Sequence, residues 1–140
     1  MDINSIQDEI VEEFTLFEDW LDKYEHIINL GKELTELDTS HRVDENLVKG
    51  CQSQVWLNAN HNKGKLLFEA DSDALITKGL IALLIRVLSN NSSKEIMDAE
   101  LYFIDKIGLG NHLSPNRANG LASMVKKIKT YAIAYSAINN

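Results

Sequence analysis

The 140-residue chain carries a single cysteine, Cys51, within Gly50-Cys51-Gln52-Ser53-Gln54-Val55-Trp56. A lone cysteine is ordinarily a small buried hydrophobe. Three local features argue for chemistry instead. Cys51 follows a polar loop rather than an apolar stripe. Gly50 permits a tight backbone turn and close approach by another chain. Gln52, Ser53 and Gln54 are unusual company for a core residue. With no second thiol to resolve a disulfide, dithiol redox chemistry is excluded. So are an all-cysteine or paired cysteine–histidine zinc site and an unaided iron–sulfur cluster. Two chemistries remain. One is hydrolysis by a thiolate, with a base drawn from His26, His41, His61 or His112 and an orienting Asp71 or Asp73; spacing selects no pair. The other is acceptance of a group from one protein and its delivery to another.

Composition narrows the partners. The chain has 14 basic and 21 acidic residues, a net charge of −7. A phosphate backbone needs a basic face, so this balance argues against nucleic acid as a partner. The charge is uneven: residues 1–50 hold fourteen acids and four bases, a balance of −10, and residues 51–140 hold seven and ten, a balance of +3. The acids of the first half fall on helical faces and read as solvated surface. The longest apolar run, Gly79 to Ile85, is fenced by Lys78 and Arg86. It is far below the roughly 20 residues that span a bilayer, so no membrane partner is expected. The acidic start MDINSIQDEI is neither a signal nor a transit peptide. Together with the free thiol, it points to the reducing cytoplasm.

The elements that must position Cys51 follow from periodicity. Ile3, Ile6, Ile10, Phe14, Phe17 and Leu21 recur at helical steps and predict one amphipathic helix; Tyr24, Ile27, Ile28, Gly31 and Leu34 predict a second. Asp38 to Lys49 loses the period and reads as a loop, with a short extended piece near Asn46 to Val48. Val55, Leu57 and Ala59, then Leu66, Phe68 and Ala70, alternate with polar residues around Asn62-Lys63-Gly64, the pattern of an antiparallel hairpin. Asp71-Ser72-Asp73 offers capping oxygens to a helix from Ala74 that is apolar on nearly every side and belongs at the centre. Lys78 and Arg86 on that helix read as solvated edges. Ser93 caps a short helix through Ile96 and Met97. Ser114 and Pro115 open the last helix, with its stripe at Leu121, Val125, Ile128, Ala132 and Tyr135. Lys126, Lys127 and Lys129 are read as suiting its dipole. Trp20 and Trp56 read as packing residues. Arg117 sits poorly for the helix dipole, which suggests pairing with Asp71 or Asp73, or contact with a partner. Residues 1–140 read as one domain.

At this point the chain resembles a family. GCQSQVW, then DSDALITKGLIALL, then HLSPNRANGL, with EDWLDKYEHIINLGKEL upstream, is similar to the SufE sulfur acceptors from about Phe14 onward. The resemblance implies an α+β fold, with a small antiparallel sheet (a hairpin plus a short third strand) on helices, shared with IscU/NifU scaffolds. It implies that Cys51 takes the outer sulfur from the persulfide of a SufS-type cysteine desulfurase and passes it to the SufBCD complex. Pyridoxal phosphate would sit on that partner, with no cofactor or metal on this chain. Gly50, Gln52, Ser53, Gln54, Asp71, Ser72, Asp73 and Arg117 would support the cysteine loop or meet the partner. A CsdE-type acceptor serving a CsdA desulfurase fits the same residues. A Cys/His hydrolase remains the reading from another class. A cluster scaffold, suggested by the shared fold, conflicts with having one cysteine.

Overall fold

A computed structural model of the chain describes residues 2–138. The N-terminal stripe forms two helices, α1 (Ile3–Phe14) and α2 (Trp20–Lys32), where the spacing predicted one helix to Leu21 and a second beyond it. The break has a local cause: Asp19 caps α2, its Oδ1 accepting the Asp22 N–H at 2.9 Å. Restarting the helix there rotates the stripe. Phe17 stays packed, its ring 4.6 Å from His26, but Leu21 is left 77% exposed.

Residues 38–49 form two single 3-10 turns and one antiparallel bridge, Leu47 to Trp56, so the short third strand is reduced to that bridge. The hairpin is as expected: β1 (Val55–Asn62) pairs antiparallel with β2 (Lys65–Ser72) in the register Val55 to Ser72. Lys63 and Gly64 form its two-residue turn with φ of 51° and 82°, the two positive angles that match strand twist. Each outer edge is partly covered. On β1, the Tyr131 hydroxyl donates to the Leu57 carbonyl at 3.1 Å and the Tyr135 hydroxyl to that of Ala59 at 3.5 Å. On β2, the Phe68 N–H donates to Ser89 Oγ at 2.9 Å, and the Leu66 N–H to the Asn91 carbonyl at 2.8 Å.

The central helix α3 (Leu75–Leu88) buries nine of its residues and packs against α1, α2, β2 and a long C-terminal helix. Arg86 ties it to α1 through Glu13 at 3.1 Å, and Lys78 reaches Asp71 at 3.3 Å, so both cations are structural rather than solvated edges. Ser92, one residue earlier than expected, caps α4 (Ser93–Asp98) in a reciprocal box with Glu95. Two one-turn helices the periodicity did not show follow, α5 (Phe103–Lys106) and α6 (Leu109–His112). Pro115 opens α7 (Pro115–Ile138), and Ser114 Oγ accepts the Arg117 N–H at 3.3 Å. Its lysines lie mid-helix rather than near its end. Lys127 Nζ donates to the Glu45 and Leu47 carbonyls, each at 3.0 Å, and Lys129 Nζ to that of Ala99 at 2.7 Å. They staple neighbouring loops instead of serving the dipole.

The tightest point is the crossing of α2 and α3. A Cβ on Gly31 would lie 2.7 Å from the Gly79 nitrogen. One on Gly79 would overlap the Ile27 carbonyl oxygen and lie 2.5 Å from Ile27 Cγ2. Backbone meets backbone, so no rotamer change relieves the clash. Gly79→Ala gains about 1 kcal/mol of helix propensity yet must force the helices apart. A net loss of about 2 kcal/mol or more is expected in urea unfolding; an unchanged or raised midpoint would contradict the crossing.

Candidate functional site

Cys51 follows a glycine in the left-handed region: Gly50 has φ +91°. Space demands glycine there too, since a Cβ would meet Ser123 Oγ of α7 at 2.6 Å. The turn lays the cysteine against α7. Cys51 Sγ faces the Gly120 carbonyl at 3.6 Å, the reach of a weak S–H donor. A Cβ on Gly120 would stand 3.3 Å from that sulfur.

The thiol is half-buried in the wall of a cavity of about 460 Å³. Ile28, Leu80 and Met124 supply apolar lining; Gln52, Asn116 and Arg117 supply polar lining. Leu75, the first residue of α3, also lines it and is 60% exposed. Burial pushes the Cys51 thiol above its ordinary range, because desolvation penalises the thiolate. The folded chain therefore holds this proton to higher pH than the unfolded chain. The stabilisation is full below the ordinary thiol pKa and is lost as pH rises through the raised one. The rate of alkylation should accordingly reach half its maximum at a higher pH in the folded protein than in urea, where the value should lie near about 8.5. Coincident curves would mean the thiol is already solvated.

The loop after Cys51 is held on two sides. Toward α7, Asn116 Nδ2 donates to Gln52 Oε1 at 3.2 Å. Toward the hairpin, Asp73 Oδ1 accepts the Gln54 N–H at 3.0 Å, and Ser72 Oγ donates to the Gln54 carbonyl at 2.8 Å. These two side chains thus anchor the loop instead of capping α3 as expected. Ala74 holds the cap position with no side-chain bond, although its N–H reaches Ser72 Oγ at 3.2 Å. Asp71 is 6% exposed and pairs with Arg42 and Lys78, and it accepts the Ser72 N–H at 2.8 Å. Arg42 also lies over the Trp56 ring at 5.8 Å. Asp71→Ala would orphan this buried arrangement and cost about 1–3 kcal/mol, read as a lower urea midpoint; an unchanged midpoint would show the pairs to be incidental.

Arg117 pairs with neither Asp71 nor Asp73 and makes no ion pair among the described residues. It lines the cysteine cavity instead, as do Gln52 and Ser53. Sequence reasoning missed Gly120, Ser123 and Met124. Their three- and four-residue steps from Arg117 were the available signal.

No histidine lines the cavity. His26 bonds Glu13 at 2.8 Å, His112 stacks on Trp20 with centroids 4.0 Å apart, and His61 stacks on Tyr135 at 5.6 Å. His41 ends a 3-10 turn. The hydrolase reading therefore finds no histidine base beside the thiol among the described residues. Among the described residues, no group of three or more His, Cys, Asp or Glu is arranged to hold a metal ion, and no helix is long and apolar enough to cross a membrane.

The fold has a solved counterpart. The solution structure of a hypothetical protein from Thermus thermophilus superposes with a TM-score of 0.76 at 18% identity, covering 96% of this chain and 97% of that one. Sequence relatives are nearer. An uncharacterized SufE-like protein of Rhizobium meliloti is 44% identical over 132 residues, 89% of this chain and 93% of the relative. One of Rhizobium etli is 44% identical over 131 residues, 89% and 88% of the two chains. The model of the SufE family, described as an Fe-S metabolism associated domain, matches residues 8–132. The family match makes this a sulfur-transfer domain of iron–sulfur metabolism, of the kind that works with a cysteine desulfurase. The chain belongs to the SufE family.

Proposed function

We propose that Cys51 is the sulfur acceptor and that residues 1–140 act as one cytoplasmic carrier domain. The observation that carries this reading is the sole thiol, set in a cavity wall on a loop anchored at both sides, with no second thiol and, among the described residues, no histidine base beside it. The donor is the persulfide of a SufS-type cysteine desulfurase. The Cys51 thiolate attacks the outer sulfur, a new S–S bond forms on Cys51, and the donor's S–S bond breaks to release its thiolate. Charge and electrons balance, so no oxidant, metal or cofactor is required of this chain. The same exchange in reverse sense delivers the sulfur to the SufBCD complex. With no neighbouring thiol, the loaded persulfide cannot discharge as an internal disulfide. Gly50 supplies the backbone freedom for the loop to extend toward a donor. Gln52, Ser53, Gln54, Asp71, Ser72 and Asp73 set the loop's resting position, and Arg117 meets the partner at the cavity.

The test is incubation with a pyridoxal-phosphate-loaded desulfurase and cysteine, followed by intact-mass measurement, with SufS-type and CsdA-type enzymes run in parallel. The wild type should gain the mass of one sulfur atom, removable by a reducing thiol. Cys51→Ser should gain none and still bind the desulfurase. Equal loading of the two proteins would overturn the proposal, and loading by the CsdA-type enzyme alone would reassign the partner.

A further inference from the structure

Gly120 lies inside α7, where glycine is a poor helix former. Its backbone is not in the left-handed region, so conformation does not call for glycine. Space does. The nearest atoms to a Cβ placed there all belong to Cys51: Sγ at 3.3 Å, Cβ at 3.9 Å and Cα at 4.0 Å. Three residues on, Ser123 makes the matching contact with Gly50. The cysteine loop therefore lies on α7 at two points, and at both of them the fit depends on a missing methyl group.

We infer that Gly120 is a positioning residue for Cys51: its bare backbone is the seat that keeps the thiol withdrawn between transfers. The inference rests on the acceptor reading for its purpose, while the seat itself is a contact that can be tested without sulfur. With the S–H directed at the Gly120 carbonyl, the half-buried sulfur stays protonated. A methyl group at position 120 would stand 3.3 Å from the sulfur and displace it from its seat by a few tenths of an ångström. The thiolate is then easier to form, and the loop has lost one of its resting contacts.

Two measurements decide it, both on the full chain. In the first, iodoacetamide alkylation of Gly120→Ala at neutral pH should run about tenfold faster than wild type, the change produced by a one-unit fall in the thiol pKa. The half-maximum of its pH profile should fall in parallel. In the second, thermal unfolding is compared for Gly120→Ala, Cys51→Ala and the double variant. Alanine at 120 should raise the melting temperature clearly more when Cys51 is already alanine than when the sulfur is present. An unchanged or slower alkylation rate, or equal temperature shifts in the two backgrounds, would overturn the seat. Sulfur loading separates this from the function: a wild type that takes no sulfur, with the alkylation and melting results as expected, removes the acceptor reading and leaves the seat standing.

Discussion

The structure depends on the approach of two backbones. Gly31 and Gly79 bring α2 and α3 closer than any side chain would allow. Ordinary helix pairs keep 8–10 Å between axes because their side chains must interleave. With that spacer removed, Ile27 seats directly against Gly79 and is fully buried. The neighbouring Ile28 is turned into the cysteine cavity, which Leu80, beside Gly79 on α3, also lines. One close contact therefore fixes both the core of the helical layer and one wall of the site.

The opposite wall is built by the same means. Gly50 and Gly120 let the cysteine loop lie on α7, and Ser72 and Asp73 hold the far end of that loop at the start of α3. The thiol thus lies between two helices that are themselves locked, one through its crossing with α2 and one through lysine staples to the loops it passes. Among the described residues no cation pairs with the sulfur to draw out its proton, and burial raises its pKa. The site is quiet at rest.

Much of this was legible in the chain itself. Strict alternation around Lys63-Gly64 defined the hairpin, since a one-residue slip would turn its core face to water. The all-round apolarity of Leu75 to Leu88 marked the central helix. Cys51 stood out by its polar company. Three features were not legible, each for a physical reason. The break at Thr15 to Asp19 preserves helical spacing on both sides, so only the capping of Asp22 by Asp19 reveals it. The short helices at Phe103–Lys106 and Leu109–His112 are single turns, too brief for a period to emerge. Asp71 finds its cations in Arg42 and Lys78, on separate elements, and no local pattern ranks those above Arg117.

The partly covered hairpin edges have a consequence for how copies of this protein behave together. A two-stranded ribbon ordinarily presents unpaired amides and carbonyls on both rims, an open template for a stray extended segment. Here tyrosine hydroxyls occupy one rim, and Ser89 with the Asn91 backbone occupies the other. An incoming strand finds those bonding groups already satisfied. At those positions the sheet offers little to fibril growth or to unwanted strand exchange.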